Sequence, residues 1–300
     1  MEATELLKKV RKIEIKTRGL SRHIFAGEYH SAFKGRGMTF SEVREYKYGD
    51  DIRNIDWNVT ARFNHLYIKI FEEERELTVM LLIDVSGSRD FGSSSQLKKN
   101  LITEIAAVLS FSAILNNDKI GVILFSNRVE KFIPPQKGSK HILRIIRELI
   151  NFQPESKETN IAEPLRYLTN AIKKRCTAFL ISDFIFPSIK MNLSNKDENL
   201  NFEEALKIAN NKHDIVALKI YDKRETEMPK IGLIKTKDAE SGKIIWVDTS
   251  SKIVREKYSA WWKDNYVKLQ EIFLKRGIDS VSISTDEDYV KPLIALFKKR

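Results

Sequence analysis

The sequence predicts an α/β protein organised around a doubly wound, mostly parallel sheet. Three observations carry that expectation. From Thr78 onward, short apolar runs alternate with longer segments of 3.6-residue periodicity, the pattern of strand-helix-strand units. The runs are apolar throughout rather than alternating, as strands buried on both faces must be. The first, Thr78-Val79-Met80-Leu81-Leu82-Ile83, empties directly into the polar loop Asp84-Val85-Ser86-Gly87-Ser88, at the strand end where such sheets hold ligands.

The elements follow in order. Gln96 to Asn116 places Leu97, Leu101, Ile105, Val108 and Leu109 on one helical face. Ile120 to Phe125 reads as a second buried strand, Ser126-Asn127-Arg128 as a turn, and Val129 to Ile133 as an antiparallel edge strand stopped by Pro134-Pro135. Ser139 to Asn151 is a helix with Ile142, Ile145, Ile146 and Leu149 as its buried stripe. Another opens near Thr159-Asn160, so that Pro164 falls in its first turn. Thr177 to Ser182 is a strand ending in Asp183, Asn201 to Asn211 a helix burying Leu206 and Ile208, and Asp214 to Ile220 a further strand. Ile231 to Thr236 and Lys243 to Asp248 flank Glu240-Ser241-Gly242 as an inserted β-hairpin. A long helix from Ser251 to Arg276, ended by Gly277, leads to a last strand, Ser280 to Ser284, and a terminal helix, Glu287 to Lys299.

Residues 1–77 read differently from residues 78–300, and the chain is divided there. Met1 to Lys12 is a charged amphipathic stretch with Leu6, Leu7 and Val10 at helical spacing, and it lacks the apolar core of a signal peptide. Ser31 to Asp56 is rich in Gly, Tyr and charge, and Leu66 to Phe71 alternates like a strand. The first division is thus an amphipathic helix with a strand-rich arm; the second is the sheet domain.

Composition narrows the function classes. No stretch approaches the ~18 to 20 apolar residues of a spanning helix. Cys176 is the only cysteine, which removes disulfide frameworks and cysteine-based zinc clusters and makes a reducing cytoplasm the simplest location. It precedes an apolar run with no adjacent His, so it reads as a packed core thiol. The net charge of +11 permits attraction to acidic protein, nucleic acid or an anionic membrane surface. Basic residues are interleaved with acids and no nucleic-acid module signature appears, so nucleic acid is set aside as a partner and peripheral membrane contact stays open. The five His (His23, His30, His65, His141, His213) are scattered without ligand spacing and read as surface or capping residues.

The loop carries the chemistry. Asp84, Ser86 and Ser88 stand at i, i+2, i+4 in a segment that Gly87 lets curl back, which turns a carboxylate and two hydroxyls toward one point. These are hard oxygen donors, suited to Mg²⁺, Mn²⁺ or Ca²⁺ rather than zinc. Alone the motif is weak, because Ser and Gly populate turns for conformational reasons. Thr159 and Asp183 strengthen it: a strand end and a helix start in a doubly wound sheet lie on the same edge as the Asp84 loop. Each has a plainer role available, Thr159 as an N-cap and Asp183 as a turn residue.

In this order on this alternation, Asp84-x-Ser86-x-Ser88, Thr159 and Asp183 resemble the metal-ion-dependent adhesion site (MIDAS) of von Willebrand factor type A domains. The resemblance implies a divalent cation, Mg²⁺ first, held by those five residues directly or through water. Asn160 stands where such domains often have Asp. Upstream, Gly35-Arg36-Gly37-Met38-Thr39-Phe40, Gly49-Asp50-Asp51-Ile52-Arg53-Asn54-Ile55-Asp56-Trp57, Thr60-Ala61-Arg62 and Phe71-Glu72-Glu73-Glu74-Arg75 are similar to the bacterial family called domain of unknown function 58. That kinship implies partnership with MoxR-type AAA+ ATPases and relation to aerotolerance-operon proteins. The upstream acids and bases (Asp50, Asp51, Arg53, Asp56, Arg62) read as a structural network rather than a docking surface, since Trp57, Leu66, Ile68 and Ile70 call for burial.

A cation held mainly by neutral hydroxyls keeps positive charge to spare, so a partner's Asp or Glu can complete its shell. The expectation is therefore a binding module or adaptor and not an enzyme. The alternative is a Mg²⁺- or Mn²⁺-dependent hydrolase using the Asp84/Asp183 crevice. It is weakened by Ser86, which stands where an aspartyl nucleophile would want a second acid, and Lys137-Gly138-Ser139-Lys140 does not fit a nucleotide-binding loop.

Overall fold

The computed structural model describes residues 39–72, 77–92, 97–185, 196–237, 242 and 244–300. They fall into two compact units, one within Lys34–Leu77 and one within Thr78–Arg300. The amphipathic start, the Gly35 to Met38 part of the upstream block, Glu73 to Arg75, most of the hairpin tip, His23 and His30 lie outside the described residues.

In the smaller unit, β1 (Thr39–Glu45) pairs antiparallel with β2 (Tyr67–Glu72), with a bulge between Phe40 and Glu42. The polar block between them is spent on local structure. Asp50 takes both guanidinium nitrogens of Arg44 at 2.8 and 2.7 Å and the Lys47 amide at 2.7 Å. Asp51 accepts from the Arg53 amide to cap a 3-10 turn, Ile52–Asn54. Asp56 accepts from the Asn58 and Val59 amides as N-cap of α1 (Trp57–Phe63), which ends at Asn64 with a φ of 58°. Of the residues expected inside, Ile68 is buried but Trp57 is 66% exposed and Leu66 44%. Trp57 is the first residue of a two-turn helix whose residues are all exposed or half-buried, so capping rather than packing fixes it.

The larger unit is the doubly wound sheet. β3 (Thr78–Asp84) lies at its centre, parallel to β4 (Lys119–Phe125) on one side and to β6 (Thr177–Ser182) on the other. β7 (Asp214–Tyr221) and β10 (Asp279–Ser284) extend it in parallel, and β5 (Val129–Gln136) closes the far edge antiparallel to β4, giving the order β10-β7-β6-β3-β4-β5. β5 continues through Pro134-Pro135 instead of stopping there. An edge strand needs no amide on its outer side, and the pairing slips by a bulge between Ile120 and Val122 to accommodate the prolines. β8 (Leu233–Lys237) and β9 (Ile244–Asp248) form the expected hairpin as a separate two-stranded sheet.

Both faces of the sheet are covered. On one, Met80, Leu82, Phe125 and Leu180 pack with residues of α4 (Ala162–Ala171), α5 (Lys196–Lys212) and α7 (Lys252–Lys275). Strand residues of the opposite parity, such as Leu81 and Phe179, are equally buried, and Phe179 meets Phe297 of α8 (Val290–Lys299) edge-on at 6.2 Å. α2 (Lys98–Leu115) and α3 (Ser139–Asn151) complete the helices that follow β3 and β5, and the one-turn α6 (Lys223–Thr226) follows β7. Three expectations fail on exposure. Leu97 precedes α2 and is 42% exposed, Ile208 on α5 is 51% exposed, while His141 and His213 are buried rather than on the surface. No described helix is long and apolar enough to cross a membrane.

Candidate metal and anion crevice

The end of β3 is tied down from both sides. Asp84 is buried; its Oδ1 accepts from the Ser86 amide at 2.9 Å and its Oδ2 from the Ser182 hydroxyl, at the end of β6, at 2.7 Å. The loop then curls into a 3-10 turn, Gly87–Asp90, which places the Ser86 and Ser88 hydroxyl oxygens 3.2 Å apart. The Gly87 amide donates to the Lys157 carbonyl at 3.0 Å and the Asn160 amide to the Ser126 carbonyl at 2.9 Å. These bonds bring buried Thr159 to the same sheet edge. Thr159 does not cap α4; the Ala162 amide is taken by the Asn160 side chain.

Asp183 arrives from β6. Its Oδ1 accepts from the Ile185 amide at 3.1 Å, its carboxylate and Ser88 line one small cavity, and Phe184 turns the chain away with a φ of 54°. Asp84, Ser86 and Ser88 are thus joined in a chain of hydrogen bonds, Asp84, Ser88 and Asp183 line one small cavity between the two carboxylates, and Ser86 and Thr159 share the edge without lining it. That cavity offers about 10 Å³ to the centre of a water-sized particle, room for about one water. Its walls are Asp84, Ser88, Arg89, Lys98, Ile102, Ser182, Asp183 and Ile220.

Two bases in that wall were not anticipated from the sequence. Lys98, the first residue of α2, is 1% exposed, and its Nζ lies 3.0 Å from Asp183 Oδ2 and 2.5 Å from Glu225 Oε1. Glu225 is held in turn by its other oxygen, which takes the Asp222 amide at 2.9 Å in a capping box. Arg89 is buried and donates to the Phe152 carbonyl. A third base, Lys219 on β7, is buried against the rings of Trp262 and Tyr266 at 4.8 and 5.2 Å.

These charges split the two carboxylates. Burial and the neighbouring Asp183 push Asp84 up to about 6, against the hydrogen bonds from Ser182 and Ser86. Burial also works against ionised Asp183, but the Lys98 ammonium and the Ser88 hydroxyl outweigh it and hold Asp183 below the usual range. Lys98 is raised in spite of burial by Asp183 and Glu225, and burial lowers Lys219 to about 8.

The donor set fits a hard divalent cation: two carboxylates and neighbouring hydroxyls, with no nitrogen or sulfur among the five residues. Asp84 keeps hydrogen bonds but, among the described residues, no direct ion pair; Arg89 in the same wall is the base that senses its charge. No cluster of three or more His, Cys, Asp or Glu capable of holding a metal occurs among the described residues. Any metal here therefore depends on the hydroxyls.

The sequence profile described as protein of unknown function DUF58 matches residues 42–267. The chain belongs to the DUF58 family. It is similar to the uncharacterised protein Rv1480 of Mycobacterium tuberculosis, 24% identical over 279 residues that cover 92% of this chain and 84% of that one. Among solved structures it is similar to BatB from Bacteroides thetaiotaomicron, with 15% identity, a TM-score of 0.46, and coverage of 74% of this chain and 98% of that one. It is likewise similar to an aerotolerance-related membrane protein from Bacteroides fragilis, with 15% identity, a TM-score of 0.48, and coverage of 75% and 100%. This DUF58 chain is an α/β protein with a doubly wound, mostly parallel sheet, the Asp84 strand central and one antiparallel edge strand.

Proposed function

We propose that this DUF58 chain is a protein-interaction adaptor whose crevice at the end of β3 receives a carboxylate from a partner. The observation that carries the reading is the convergence of Asp84, Ser86, Ser88 and Asp183 at one sheet edge. Both buried histidines lie at the other end of the sheet: His141 bonds the Ile120 carbonyl at 2.9 Å near the start of β4, and His213 immediately precedes β7. Both Asp84 oxygens are engaged by donors, which favours a fixed ligand over an attacking group.

Asp84, Ser86, Ser88, Thr159 and Asp183 would hold a divalent cation, Mg²⁺ in preference to Mn²⁺ or Ca²⁺, which when bound supplies a Lewis-acid position for the partner's Asp or Glu. The chain's own part is to orient the donors. Ser182 and the Ser86 amide fix Asp84, Lys98 and the Ile185 amide fix Asp183, and the 3-10 turn aims the hydroxyls. From family kinship, the partner is a MoxR-type AAA+ ATPase or its client, in assembly or stress tolerance, within a reducing cytoplasm. The test is capture of the ATPase by the purified chain with Mg²⁺, with EDTA, and by Asp84→Ala. Capture should fall in the last two, and equal capture in all three would sink metal-mediated docking.

A further inference from the structure

A lysine at the first position of a helix, buried to 1%, is an improbable choice on two grounds. The positive end of the helix dipole opposes a cation there, and burial of an unpaired ammonium is strongly unfavourable. Lys98 is nevertheless held by acids from two distant parts of the chain, Asp183 at the end of β6 and Glu225 on α6. Arg89 completes the pattern from the loop side. It is 6% exposed, its Nε pairs with exposed Asp90 at 4.0 Å without a hydrogen bond, and it also feels the charge of Asp84.

The ionisable lining of the small cavity therefore consists of two acids, Asp84 and Asp183, and two bases, Arg89 and Lys98. Behind it, Glu225 and Lys219 add one charge of each sign, since Lys219 senses both Asp183 and Glu225. The lining is electroneutral before any metal enters, with solvent-exposed Asp90 outside it beside Arg89. A divalent ion arriving alone leaves it with two excess positive charges in a buried site; one arriving with an anionic group does not.

We propose that Lys98 and Arg89 are the resident cations of the crevice and hold its affinity for a divalent ion low until an anionic group enters with it. The inference rests on the reading of Asp84, Ser86, Ser88, Thr159 and Asp183 as a metal site, and it assigns that site a regulator which the five donors do not contain. Intrinsic metal affinity is set by the fixed cations, and the carboxylate of a partner supplies the balance. Removing either fixed cation leaves a buried acid uncompensated, and that acid recruits a mobile cation in its place.

The experiment is a titration of the full chain with MnCl₂ alone, reading free Mn²⁺ by electron paramagnetic resonance. It uses the wild type, Lys98→Met, Lys98→Arg, Arg89→Gln, Asp84→Asn and the double variant Lys98→Met/Asp84→Asn. Lys98→Met and Arg89→Gln should each bind Mn²⁺ about tenfold or more tightly than the wild type, since a unit charge a few ångström away is felt strongly at an effective dielectric near 20. Lys98→Arg should stay near the wild type, and the double variant should lose the gain. Arg89→Gln keeps the test decisive if Lys98→Met does not fold. If neither neutral variant binds more tightly, including the case in which none binds at all, the proposal is overturned. If Mn²⁺ binding vanishes in Asp84→Asn yet is not strengthened by either neutral variant, the metal reading stands and the resident-cation proposal alone fails. If the gain in Lys98→Met survives Asp84→Asn, the ion sits elsewhere and both readings fall.

Discussion

Replacing Lys98 by methionine in the metal-free protein tests how much of the crevice depends on one ammonium. The side chain keeps its length and loses its charge, so packing along the stem changes little. What changes is that Asp183 and Glu225, 4% and 12% exposed, lose a cation at 3.0 and 2.5 Å. A close pair of this kind is worth several kcal/mol at an effective dielectric near 20, and the Lys98 desolvation it offsets disappears with the charge. The net loss on breaking a buried pair from one side is about 3 to 5 kcal/mol, because the acids left behind are still dehydrated. The assay is urea unfolding in EDTA, followed by far-ultraviolet circular dichroism. Lys98→Met should lose that amount, and the triple variant with Asp183→Asn and Glu225→Gln should regain most of it, since no uncompensated charge remains. Adding Mg²⁺ should restore Lys98→Met more than it stabilises the wild type, by mass action on the folded state. Stability of Lys98→Met within about 1 kcal/mol of the wild type, or a triple variant no better than the single one, would refute the charge argument.

Three further outcomes follow from the larger unit. Burial, with Lys212 and Arg175 nearby, pulls His213 down to about 4 from an ordinary 6.5. The unfolded chain then takes the proton first, so this contribution to stability is intact above the ordinary value and is lost as pH falls toward the folded one. Between about pH 7.5 and about pH 5 the loss is ~2 kcal/mol, and it should be absent in His213→Gln; equal pH slopes in urea unfolding of the two proteins would contradict it. Burial pushes the Cys176 thiol up to about 12, so iodoacetamide should label it only as fast as the native state opens; rapid labelling of folded protein would refute the packing described. A Cβ at Gly121 would sit 2.7 Å from Met80 Sδ, 2.9 Å from the Pro135 nitrogen and 3.0 Å from the Ile133 oxygen. Met80 can swing aside, but the strand backbone cannot, so Gly121→Ala should cost about 1 to 3 kcal/mol, and an unchanged melting temperature would count against it.

The sheet was legible because strands covered on both faces have no polar positions to confuse the pattern. β3, β4, β6 and β7 coincide with the apolar runs to within a residue or so. The edge was less legible. Pro134-Pro135 reads as a stop, yet an outermost strand has amides to spare, and β5 runs through both. Trp57 shows the converse error: a large ring suggests burial, but on a short capped helix its backbone is fixed by Asp56 and nothing requires the side chain to be covered.

The crevice divides along the same physical line. Asp84, Ser86, Ser88 and Asp183 could be placed together because strand ends of a parallel sheet share an edge, which is a property of topology readable from the pattern. Lys98 could not be found that way, since its two acids lie 85 and 127 residues away and an isolated lysine at a helix start resembles any solvated one. A local signal was nonetheless present. α2 opens on Lys98-Lys99-Asn100 with no acid in its first turn, contrary to what its dipole favours, and the residues that follow are apolar on nearly every side. A basic residue at the start of a helix with so little polar surface has no dependable route to water and must find carboxylates inside. The place where local preference is violated is the place where the fold had to supply a charged partner, and here that partner belongs to the crevice itself.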